Sequence, residues 1–125
     1  AAGIPDDRAP IVKASDTEIT SSTYNDPQLT ERVASAFRRA LGDENVTQVA
    51  PIMASEDFGY LSLDHKIPSV IFWLGAVDPA KVKQSKETGI PLPSLHSSLF
   101  APVPEPTLRT GVKAMTAAVL ELMKK

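Results

Sequence analysis

Two histidines and one adjacent pair of carboxylates are the groups in this 125-residue chain best suited to chemistry. His96 sits between Leu95 and the hydroxyl of Ser97, in a segment that leads toward a terminal helix. An imidazole in that setting can ligate a metal or move a proton. A histidine that merely hydrogen-bonds a neighbouring carbonyl fits the same spacing equally well. His65, in Leu63-Asp64-His65-Lys66, reads as a solvated loop histidine. Glu56 and Asp57 could bind a metal or act as a general base. They also suit the first turn of a helix capped by Ser55, where carboxylates complement the helix dipole, and this second reading is the stronger one.

A dinuclear metal site needs about five to seven ligand atoms, usually from His, Asp and Glu. One good histidine and one acidic pair do not reach that number. The chain has no cysteine, which excludes thiolate ligands, disulfides and cysteine nucleophiles. It also has no G-x-S-x-G, Walker A, H-E-x-x-H or Rossmann glycine pattern. A formal net charge of -2 gives no basic surface for nucleic acid. No apolar run approaches the ~20 residues that cross a bilayer. The first residues have neither the basic region nor the apolar core of a signal peptide; in a fragment that says nothing of the parent, for which a cytoplasmic location is the favoured expectation and export the alternative.

The elements that must position these groups can be read from caps and periodicity. Residues 1–24 read as extended structure or linker, with a short strand at 11–14. Asp26 as N-cap, Pro27 at the first helical position and Gly42 beyond the end frame a helix over 27–41. Leu29, Val33, Phe37 and Leu41 give it one apolar stripe. Residues 45–52 read as a weak strand and 55–63 as a short helix. Ser69-Val70-Ile71-Phe72-Trp73-Leu74 is the best strand in the chain, continuous enough to be buried on both faces of a mixed sheet. Residues 78–93 read as a long polar loop, a length at which loops are often functional. The final helix, over 105–123, should bury Leu108, Val112, Met115, Val119 and Leu122. The fold class expected is therefore α/β, a partial mixed sheet flanked by helices. Too few strands are present to complete that sheet within this chain.

Three pieces occur in order: Met53-Ala54-Ser55-Glu56-Asp57-Phe58, Ile71-Phe72-Trp73-Leu74-Gly75 and Leu95-His96-Ser97, with a long helix after them. This set resembles the C-terminal section of the metal-dependent amidohydrolases of the aminoacylase and carboxypeptidase superfamily. That group includes hippurate hydrolase, N-acyl-amino-acid hydrolases and auxin-conjugate hydrolases. Tyr24-Asn25-Asp26-Pro27 resembles the return from their lid domain to their catalytic domain. The resemblance implies that residues 1–24 are the tail of a lid or dimerisation domain, or a linker, and that 25–125 are the C-terminal portion of a zinc-peptidase-like catalytic domain.

It further implies metal-assisted hydrolysis of the amide of an N-acyl amino acid or similar conjugate, with zinc, manganese or nickel as cofactor. His96 corresponds to the family's last metal ligand. Ser55, Glu56 and Asp57 correspond to a segment lining the substrate cleft. No catalytic residue of the family falls in this chain, because the glutamate that moves the proton and the other ligands lie in the N-terminal half of such proteins. The chain alone is then expected to be inactive and to hold no metal tightly, and the parent to be a homodimer through its lid domain. The sequence departs from the family pattern at Ala54, where Gly is common, and at Ser98 and Leu99, where Pro and Arg are common. Loss of that Arg removes a potential carboxylate contact. Two other readings stand beside this one: a dipeptidase or carboxypeptidase of the same superfamily, and a non-catalytic α/β interaction module.

Overall fold

A computed structural model describes residues 3–15, 17, 22–54, 56–63 and 65–124. The regular elements among them are helical. Residues 27–41 form the helix that their caps predict, α1 (Pro27–Leu41). The Asp26 carboxylate accepts from the Leu29 amide at 2.8 Å, satisfying a donor that the first turn leaves orphaned. Gly42 ends the helix at φ 95°, a conformation in which an added Cβ would also strike the Glu44 side chain.

The second helix, α2 (Pro79–Thr88), replaces the long polar loop expected over 78–93. Its signals are local. The Asp78 carboxylate caps the Ala80 amide at 2.8 Å, Pro79 opens the first turn, and Gly89 closes the last at φ 73°. The helix carries no apolar stripe, so periodicity could not reveal it. The last helix, α3 (Pro104–Leu122), lies within one residue of its expected bounds.

The α/β expectation is overturned: the described residues contain no strand and no sheet. Residues 69–74 are extended, but a strand needs a second backbone about 4.8 Å away to complete its ladder, and among the described residues none forms one with them, the Asp26 amide reaching only the Ser69 carbonyl. Residues 11–14 and 46–52 are irregular and mostly exposed, so neither supplies that partner. The run is also not buried on both faces. Alternate residues of the run touch the helices, as an extended chain allows. Val70 packs on the helical core, the Phe72 ring meets the Phe37 ring edge-on at 4.8 Å, and a Cβ built at Gly111 would stand 3.0 Å from Leu74 Cδ2. Ile71, Phe72, Trp73 and Leu74 all stay exposed, Trp73 the most at 57%.

The core lies between α1 and α3. Val33 and Phe37 of α1 meet Ala114 and Ala118 of α3, with Leu29, Leu41 and Val46 packed around them. The stripe expected on α1 is thus the one that faces the core. The stripe expected on α3 is not: Leu108 and Val112 are 68% and 67% exposed, and Met115, Val119 and Leu122 are exposed too. The helix docks instead through Gly111, Ala114 and Ala118, small positions that let the bulky Phe37 and Leu74 approach. Beside this contact, the Glu121 carboxylate binds Arg39 at 2.6 Å and Lys124 at 2.7 Å, with Arg32 at 3.5 Å. The hydrogen bond from Lys124 is the largest cause holding Glu121 below the usual carboxylate pKa, aided by the charge of Arg39 and opposed by desolvation.

Candidate functional site

His96 stands on two successive tight turns. The Ser97 amide donates to the Ser94 carbonyl at 3.0 Å, and the Phe100 amide donates to the Ser97 carbonyl at 3.0 Å. The Ser97 hydroxyl accepts from the Leu99 amide at 3.1 Å, so this side chain shapes the turn. His96 itself is exposed, as are Leu95 and Leu99. The turn is anchored where it meets α3: the Val103 amide donates to the Ala76 carbonyl at 2.8 Å, fixing it to the end of the extended run.

Glu56 and Asp57 lie in a second place. Residues 57–62 form a 3-10 helix, and the Glu56 carboxylate caps it by accepting from the Phe58 amide at 3.2 Å. The expected helix over 55–63 is present in this tighter form. Its described side-chain cap comes from Glu56; Ser55 lies outside the described residues. Glu56 and Asp57 are exposed. Below them, the buried Ser62 hydroxyl donates to the Gly59 carbonyl at 2.7 Å and accepts from the His65 amide at 3.1 Å. His65 is exposed, with backbone φ 64°, and its ring lies edge-on to Tyr24 at 5.6 Å.

The fold does not bring His96, Glu56 and Asp57 into one metal-binding group. Among the described residues there is no cluster of three or more His, Asp or Glu side chains able to hold a metal. An exposed imidazole on an ordered turn fits the role of a single donor. A structural or catalytic metal takes three or four protein ligands, so this chain's described residues fit the group only as a partial set. A shallow concavity of about 560 Å³ is lined by Val77, Pro79, Val82, Lys83, Lys86 and Glu87, and none of the expected site residues borders it. No helix among the described residues is long and apolar enough to cross a membrane.

Sequence reasoning did not anticipate the role of Asn25. Its side-chain amide donates to the Ile71 carbonyl at 2.8 Å, and its side-chain carbonyl accepts from the Ile71 amide at 2.9 Å. The Asp26 amide adds a bond to the Ser69 carbonyl at 2.9 Å. These contacts join residues 46 or 43 positions apart, and no local pattern reports such a pairing.

Residues 11–97 match the family described as Peptidase family M20/M25/M40. The matched region spans more than half of the chain and includes His96, and the chain belongs to this family. Similar proteins include the N-acetyldiaminopimelate deacetylase of Lactobacillus acidophilus, 30% identical over 79% of this chain and 22% of that protein. The protein of the same name from Ligilactobacillus salivarius is 35% identical over 74% of this chain and 20% of its own length. That from Limosilactobacillus fermentum is 41% identical over 51% of this chain and 16% of its own length. The chain spans about a fifth of the length of these relatives. No solved structure matches it.

Proposed function

We propose that this chain is the C-terminal section of a metal-dependent amidohydrolase that cleaves the amide of an N-acyl amino acid, and that His96 supplies one ligand to its metal. The observation that carries the reading is the family match through residues 11–97, which includes the His96 turn. The relatives' names describe removal of an N-acetyl group from an amino-acid derivative, and this supports the acyl-amino-acid substrate class. A bound divalent cation would supply Lewis-acid polarisation of the scissile carbonyl and a nucleophile at neutral pH.

This chain's own residues have narrower tasks. The two turn hydrogen bonds around Ser97 hold the His96 backbone, and the exposed imidazole is free to present a nitrogen lone pair. Glu56 is occupied as a helix cap, so any contact it makes with substrate is made by an ordered carboxylate. The rest of the ligand set and the proton-transferring group belong to other parts of the parent protein, and the chain alone is inactive.

The test is His96→Ala in the full-length parent. Metal content should fall, and kcat/KM on N-acetyl amino acids should drop by at least about 100-fold, as loss of a direct ligand exceeds the 10–100-fold typical of groups behind one. Full metal content with unchanged kcat/KM would overturn the assignment. The family's description as a peptidase favours one second reading, a dipeptidase or carboxypeptidase. Faster cleavage of dipeptides than of N-acetyl amino acids by the same parent would select it.

A further inference from the structure

We propose that Asn25 is a positioning residue: its side chain takes the place of a neighbouring backbone and, through residues 69–76, fixes the turn that carries His96. The proposal rests on the reading of His96 as a ligand for its functional meaning, and on geometry alone for its physical content. An extended chain turns the backbone groups of alternate residues to opposite edges. Ser69 and Ile71 present theirs to one edge, where Asn25 takes both groups of Ile71 and the Asp26 amide takes the Ser69 carbonyl. A carboxamide carries a donor and an acceptor side by side, as a peptide group does, so Asn reproduces a two-bond backbone pair from a single side chain. Aspartate would lose the donor and leucine both groups.

From Ile71 the segment continues to Ala76, whose carbonyl receives the Val103 amide, and Val103 closes the stretch that begins with the Ser94–Ser97 turn bond. Between these ends the run is pressed on the helices by Phe72 against Phe37 and by Leu74 against Gly111. The His96 turn is therefore tied to the start of α1 through the Asn25–Ile71 and Val103–Ala76 bonds. Asn25 is the first of these links.

Amide exchange followed by NMR on the 125-residue chain tests this in wild type, Asn25→Ala and Asn25→Asp. In Asn25→Ala the Ile71 amide should exchange at least about fivefold faster, the factor expected from losing its own hydrogen bond, with the bond at the Ile71 carbonyl lost as well. The Val103 and Phe100 amides should speed up with it, and the His96 ring resonances should move. Ala114 and Ala118, in the helical core, should stay within about twofold. Asn25→Asp keeps the acceptor for the Ile71 amide and should fall between the two, which preserves the test if the alanine variant does not fold. Acceleration of Ile71 alone overturns the proposal, since the clamp would then be local. Equal acceleration at Ala114 and Ala118 also overturns it, since Asn25 would then be a general stabiliser. A parent enzyme in which His96 binds no metal would leave these rates unchanged, so the two readings fail separately.

Discussion

Phe37→Ala strikes the contact that joins α1, α3 and the extended run. Phe37 is 7% exposed, packs with Val33, Ala114 and Ala118, and lies edge-on to Phe72. Truncating a buried phenylalanine costs about 3–5 kcal/mol from lost transfer and the cavity left behind. Phe72 is 37% exposed and can lean into the space, which places the cost near the lower end, about 3 kcal/mol. For a chain of this length the unfolding entropy is roughly 0.26 kcal/mol/K, so Tm should fall by about 11 °C. Thermal unfolding followed by circular dichroism measures it, with Phe37→Leu as a milder partner expected to lose about 1 kcal/mol. A double-mutant cycle with Phe72→Ala should return a coupling of about 0.5–1.5 kcal/mol for the aromatic pair. A loss below about 1 kcal/mol for Phe37→Ala, or no coupling, would refute the placement of the core between α1, α3 and the extended run.

The two faces of α3 should respond oppositely: Met115→Ser should stay within about 0.5 kcal/mol, while Ala118→Leu should lose about 1–3 kcal/mol by overpacking, as denaturant midpoints will show. Glu121 has a lowered pKa in the folded chain, so its contribution is present above its unfolded pKa and is lost as pH falls through the folded value. Acid titration of stability should show that loss in wild type and a smaller one in Glu121→Gln. Asp78→Ala removes the cap of α2 and should cost about 1 kcal/mol of local helix stability, read as faster amide exchange within residues 80–83 while α1 is unaffected. The exposed apolar residues Ile71, Trp73, Leu108 and Val112 should bind a hydrophobic dye in the folded chain, and Trp73→Ser with Val112→Ser should reduce that signal; an unchanged signal would show that these side chains are covered.

What could be read from the chain itself was whatever depends on neighbours a few positions away. Asp26, Pro27 and Gly42 bounded α1 because a helix end is satisfied by residues within one turn of it. The same chemistry stands at Asp78, Pro79 and Gly89, but α2 has no apolar stripe, and periodicity does not report a helix that lacks one. The ordered pieces ending at Leu95-His96-Ser97 carried the family, which the match over residues 11–97 shows. Tertiary structure decided three other things. It left residues 69–74 without a strand partner, because a ladder depends on a second backbone and not on the run's own composition. It turned α3 onto Gly111, Ala114 and Ala118, because the bulk of Phe37 and Leu74 needs small residues opposite it, and hydrophobicity alone would have chosen the larger stripe. It joined Asn25 to Ile71 across 46 positions, a contact set by where α1 begins in space and by the packing of Phe72 on Phe37, which no local pattern reports.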